Sequence, residues 1–202
     1  MKYRALNKNV FSKGVYKVVP IHIQDMESIR IWRNAQIDVL RQKKELSSDD
    51  QIQYFKNVVK PLFEAEQPEQ LLFSYLKNSE LIGYGGLVHI SWPNKRAEMS
   101  FLVNNSRAAN NGEYGEDFYN FIELMKELCF TEMKFNRLFT ETYAFRTFHI
   151  SILEYAGLKE EGRLRQNIFE KDKYYDSIFH SILKEGLFAD FNGKRGQMGS
   201  LA

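Results

Sequence analysis

The chain has little of what marks the simplest functional classes. One residue in 202 is cysteine, Cys129, so no disulfide can form within the chain. That cysteine falls on an apolar helical stripe and reads as a small core residue in a reducing, cytoplasmic setting. No apolar run approaches the ~20 residues of a membrane span. The opening Met1-Lys2-Tyr3-Arg4 leads into no signal-peptide core, so neither span nor secretory leader is expected. An excess of one charge is also missing. The 28 Lys and Arg stand against 26 Asp and Glu, and a net charge of +2 leaves no footprint for nucleic acid. Pairs such as Lys43-Lys44 and Lys95-Arg96 read as solvated faces. His22, His89, His149 and His180 share no metal-ligand spacing with one another or with Cys129, so no metal is expected.

Aromatic residues are plentiful, 16 Phe and 11 Tyr, which predicts a core built from large rings. Tyr16 to Ile23 reads as a first strand, and Asp25 as the cap of a helix carrying Met26, Ile29, Ile31 and Trp32. Ser48-Asp49-Asp50-Gln51 has capping-box spacing ahead of a second helix, which Pro61 should bend or end. Leu71–Leu76 and Leu81–Ile90 form a predicted hairpin, followed by a strand from Arg96 to Val103. A long helix is expected from near Asp117, because Phe118, Phe121, Ile122, Met125, Leu128 and Cys129 share one face. Arg137–Tyr143 alternates as a strand, Thr147–Ala156 is a short helix stopped by Gly157, and Arg163–Phe169 and Tyr174–Leu183 close a hairpin. The order predicts an α+β fold, a mixed sheet with helices on both faces. Residues 1–14 read as an N-terminal extension, 15–186 as one domain and 187–202 as a poorly ordered tail.

Between the Arg96–Val103 strand and the long helix runs Arg107-Ala108-Ala109-Asn110-Asn111-Gly112-Glu113-Tyr114-Gly115. A strand passing through a small turn into a helix N-terminus collects backbone N–H groups and favours an anion. With this turn and the element order, the chain resembles the GNAT superfamily of acyl-CoA-dependent N-acetyltransferases. Four segments are similar to its branch of ribosomal-protein N-terminal and amino-sugar-nucleotide acetyltransferases: Trp32-Arg33-Asn34, Ile82-Gly83-Tyr84-Gly85-Gly86-Leu87, Leu153 to Arg163, and Lys173-Tyr174-Tyr175-Asp176 with Ser181-Ile182-Leu183. The resemblance implies a mostly antiparallel sheet of about seven strands with a splayed central pair. It implies acetyl-CoA as donor, with its pantetheine arm along Phe101, Leu102 and Val103. The pyrophosphate would rest on Asn110, Asn111, Gly112, Glu113, Tyr114 and Gly115, with Arg107 as the nearest cation. The loop departs from the family pattern, with Asn110 at its basic position, Glu113 at its central glycine and Gly115 alone retained, and two later positions depart as well. Arg146 stands where its fourth helix commonly begins with Asn, and Leu153 where a thiolate-protonating Tyr is usual.

Acetyl transfer to an amine requires a fixed thioester, a donor for the carbonyl oxygen, removal of an ammonium proton and delivery of one to the thiolate. Glu98 and Glu141 are the carboxylates expected on the splayed strands, and Glu98 is the first candidate base. Tyr155 is the phenol closest in sequence to Leu153, although two residues turn it ~200° around the helix. The expected acceptor is a small-molecule primary amine, first a nucleotide-linked amino sugar and second a protein N-terminus. A homodimer is an open expectation. The competing class is a non-catalytic module that binds acyl-CoA or another protein.

Overall fold

The first strand is one that alternation does not predict. Phe11–Lys13 (β1) pairs antiparallel with Tyr16–Pro20 (β2) across Gly14, whose φ of +57° turns the chain. The computed structural model describes residues 1–109 and 111–185, so the expected tail at 187–202 and Asn110 lie outside the described residues. Residues 1–14 send three side chains, Tyr3, Leu6 and Phe11, into the core. Tyr3 is buried, stacks on Phe63 with ring centroids 4.4 Å apart, and accepts from and donates to the backbone of Leu72.

Among the described residues, eight strands form one sheet in the order β1-β2-β3-β4-β5-β6-β8-β7, with β3 Leu71–Lys77, β4 Glu80–Ser91, β5 Arg96–Val103, β6 Arg137–Tyr143, β7 Lys159–Glu170 and β8 Lys173–Leu183. Asn78 and Ser79, both at positive φ, make the predicted tight turn between β3 and β4. The glycines of β4 let its neighbours close in. A Cβ on Gly85 would strike the Ser100 carbonyl and the Phe121 ring, and Gly86, at φ +151°, would strike the Leu71 carbonyl.

Among the described residues, four helices flank the sheet: α1 Met26–Ala35, α2 Ser48–Tyr54, α3 Gly112–Lys126 and α4 Thr147–Tyr155. Adjacent β4 residues point to opposite faces. Tyr84 meets Arg33 of α1, whereas Gly85 faces Phe121 of α3, so the helices do lie on both sides. Helix α2 is capped by Ser47 with Asp50, one residue earlier than the sequence suggests. It passes through a π-helical stretch, Phe55–Val59, into Lys60–Leu62; the widened turn sits just ahead of Pro61, which lacks an N–H. Helix α3 begins at Gly112, five residues before Asp117, because Asn111 caps it by accepting from the Tyr114 N–H.

The feature that positions the site is a break in pairing. β5 and β6 are parallel neighbours only where Arg96, Ala97 and Glu98 face Arg137, Leu138 and Phe139. Beyond Glu98 the two strands separate, and Met99–Val103 keeps β4 as its partner on one side alone.

Candidate active site

At the point where β5 and β6 part, a cavity of about 180 Å³ opens. Glu98 and Glu141 both line it, the first buried and the second half-buried. Arg41 joins them: one guanidinium nitrogen donates to Glu98 Oε1 at 2.8 Å and to Glu141 Oε2 at 2.7 Å. Two adjacent carboxylates raise the Arg41 pKa above its ordinary value, against an opposing effect of burial. Glu98 also contacts His89 Nδ1 at 2.7 Å, and the His89 ring is largely open to solvent. His89 itself sits at φ +46°, where β4 shifts register beside β5. Glu141 accepts from Ser177 Oγ at 2.6 Å and from Asn167 Nδ2 at 3.0 Å.

The Trp32-Arg33-Asn34 segment explains how Arg41 gets there. Trp32 is buried, while the next two side chains pin the loop that follows α1. Asn34 Oδ1 accepts from the Leu46 N–H and from Gln42 Nε2, and its Nδ2 donates to the Leu46 carbonyl. Arg33 donates to Gln42 and to the Tyr84 hydroxyl, tying two of the motif segments together. Tyr143 Oη donates to the Leu40 carbonyl. The backbone on both sides of Arg41 is therefore held, and its side chain projects into the cleft. A second cavity of about 250 Å³ shares Arg33, Val88 and Ser100 with the first and is walled largely by Ile21, Met26, Leu46, Tyr54, Leu72 and Tyr84.

A third polar group lies further along β5. Tyr114 and Arg146 line a small space with Phe101, Leu102, Val103 and Leu40. Arg146 donates to the Tyr114 hydroxyl at 3.0 Å, and that hydroxyl lies 2.6 Å from His149 Nδ1. His149 is buried and stacked on Phe118 at 4.0 Å. Burial, then Arg146 and His180, hold its pKa well below the ordinary imidazole range, so the ring is neutral. Burial raises the Tyr114 pKa and Arg146 opposes it; the phenol keeps its proton at neutral pH.

The remaining expected positions fall as follows. Phe101 stacks on Phe118 at 4.6 Å, and Leu102 and Val103 are buried, with the Val103 carbonyl accepting from Gln36. Gly112, Glu113, Tyr114 and Gly115 form the first turn of α3 rather than a loop before it. Arg107 is committed to the fully buried Asp117 at 2.6 Å and to Glu113 at 3.0 Å, which takes it out of the role of a free phosphate cation. A Cβ on Gly115 would make ordinary contact with Phe148 and Ile152 of α4, so packing there does not require the glycine. Leu153 is fully buried. Tyr155, two residues on, is 62% exposed with its ring against Tyr119 and does not line the cavity. Arg41, Arg33 and His89 are additional cleft residues, and His149 lines the cavity as well.

A family model described as an acetyltransferase (GNAT) domain matches residues 18–179. No curated protein sequence matches the chain. Among solved structures, spermidine N-acetyltransferase from Vibrio cholerae in complex with CoA and spermine superposes with a TM-score of 0.76 at 16% identity, covering 86% of this chain and 98% of that one. The dodecameric form of the Vibrio cholerae enzyme in an intermediate state gives 0.73 at 17% identity, with 87% and 98% covered. These likenesses establish the fold, and neither the family model nor the two structures named supports the amino-sugar or ribosomal-protein branch. Among the described residues, no helix is long and apolar enough to cross a membrane.

Proposed function

The chain belongs to the GNAT acetyltransferase family, and from that premise we propose that it transfers acetyl from acetyl-CoA to an aliphatic polyamine bound at the Glu98–Glu141 apex. The observation that carries the acceptor class is the pair of carboxylates meeting at the cleft apex around one cation. The matched structures, whose acceptors are spermidine and spermine, support it. The adjoining cavity with its mainly apolar wall suits a methylene chain better than a sugar ring.

The residues present fit the donor. Met99–Val103 offers backbone groups on a side where no strand pairs, and the capped start of α3 offers N–H groups and a positive helix end for a pyrophosphate. When bound there, acetyl-CoA supplies an acetyl group activated as a thioester. Glu98 takes the ammonium proton of the acceptor, and His89, 2.7 Å away and open to water, carries it out. Tyr114, hydrogen-bonded to Arg146 in the same cleft, supplies the proton and the positive field that the departing thiolate needs. The non-catalytic alternative rests on the altered loop and on Leu153. The loop still ends in a capped helix, and Tyr114 brings a phenol to the cleft by another route.

One observation favours a second reading. Arg33, Arg41 and Arg146 all line the main cavity, and arginines suit the diphosphate of a nucleotide-linked amino sugar. Thiol release from acetyl-CoA, measured with spermidine and with a nucleotide-linked amino sugar, decides between them. Turnover of spermidine is expected; turnover of the sugar nucleotide alone overturns the polyamine reading.

A further inference from the structure

Building on the polyamine reading, we infer that Arg41 is a displaceable occupant of the acceptor's ammonium seat, and so the residue that sets affinity for cationic amines. A single nitrogen of its guanidinium satisfies both carboxylates, at 2.8 and 2.7 Å. An alkylammonium has the same charge and enough N–H donors to make the same two bonds. Its side chain is 48% exposed, whereas those of Glu98 and Glu141 are 9% and 14% exposed, so Arg41 covers the seat from the solvent side.

The surroundings allow exchange without collapse. Gln42 and Leu46 are fastened by Arg33 and Asn34, so the backbone stays in place while the Arg41 side chain turns out. When it leaves, Glu98 keeps His89, and Glu141 keeps Ser177 and Asn167. The seat therefore survives its tenant. An acceptor that carries a positive charge trades one ion pair for another, whereas a neutral or anionic molecule would have to leave the carboxylates uncompensated at a buried apex.

Calorimetric binding of spermidine to the intact protein and to Arg41→Gln tests this. Removing the competing cation should tighten binding roughly fivefold or more, the scale of one or two partly exposed ion pairs. Arg41→Lys, a smaller change to the fold, should fall between the two. In Arg41→Gln with Glu98→Gln and Glu141→Gln added, the tightening should vanish. Unchanged or weaker binding in both Arg41→Gln and Arg41→Lys, or no spermidine binding to any of these proteins, overturns the inference. A residue that only braces the carboxylates would lower kcat and leave the spermidine Kd alone. Turnover is scored separately: a parent protein that does not acetylate spermidine sinks the polyamine reading, while tightening in Arg41→Gln still establishes the seat.

Discussion

Strands β6 and β8 carry two polar stations four residues apart, built from the same parts and put to different ends. Arg137, Phe139 and Glu141 share one face of β6 with Leu183, Ser181 and Phe179 opposite them on β8, and each reaches diagonally, to Ser181, Phe179 and Ser177. The two phenylalanines pair at 6.5 Å between the stations. At one end Arg137 forks onto Glu161 of β7 and donates to Ser181 Oγ at 2.9 Å, and Ser181 donates to Glu161 at 2.6 Å. At the other end Ser177 and Asn167 of β7 hold Glu141, and the cation arrives from a loop. The first arginine belongs to a strand and serves one carboxylate bidentately. The second reaches across the break in the sheet and divides one nitrogen between two carboxylates, its other terminal nitrogen lying 3.5 Å from Glu98 Oε2. Where β5 still pairs with β6, at Arg96–Glu98, the station is closed and structural. Where the strands have parted, the same chemistry faces a cavity. The separation of two strands, more than the residue types, opens an ion pair to a cavity.

The largest effect that tests this contrast is on Glu98. Glu98→Gln keeps size and most hydrogen bonding but removes proton acceptance. At neutral pH kcat should fall ~10²-fold, with the affinity for acetyl-CoA nearly unchanged. The loss should shrink as pH rises and free amine becomes available. A wild-type kcat across the pH range would eliminate Glu98 and shift attention to Glu141 or a water chain.

Next in size is Tyr114→Phe, which keeps the ring against Phe118 and removes the hydroxyl between Arg146 and His149. We expect kcat to drop about tenfold, water partly replacing the phenol. The buried His149 Nδ1 loses its partner, at a cost of about 1–3 kcal/mol in stability. A lowered Tm with kcat intact would make Tyr114 a structural residue and confine the chemistry to the carboxylate end.

Much of the frame is legible in the sequence because local periodicity determines it. Phe118, Phe121, Ile122 and Met125 mark α3, and alternation marks β6. The start of α3 is not legible in this way: Gly112 and Gly115 look like turn residues until Asn111 is seen to cap them. β1 is three residues long, too short to show a period, and it is fixed by pairing with β2. The carboxylates of the cleft follow from their strands, but Arg41 does not. Its partners lie 57 and 100 residues away, and nothing in its neighbourhood distinguishes it from a solvated loop arginine. Tyr155 shows the converse failure. A sequence offset of two puts it close to Leu153 on paper and on the solvent side of α4 in space.

The smallest effects separate the two ends by pH. His149 is held neutral in the folded cleft, while in the unfolded chain it titrates near 6.5. Below about pH 6.5 the unfolded state gains a proton that the folded state refuses, so this stability is complete above that pH and drains as pH falls. Glu161 runs through a lower window. Its hydrogen bonds from Arg137 and then Ser181 hold its pKa down at about 2, from an ordinary value of 4.5. Its contribution is therefore full above about pH 4.5 and is lost as pH falls toward 2. Thermal melts from pH 7.5 to 3 should show His149→Gln flattening the slope near pH 6 and Glu161→Gln flattening it only below about pH 4.5. Because the Glu161 side chain is 38% exposed, solvent screening limits Glu161→Gln to roughly 1–2 °C in Tm at neutral pH, with kcat unchanged. If Glu161→Gln instead lowers kcat as Glu98→Gln does, the closed station takes part in catalysis and the division between the two ends is wrong.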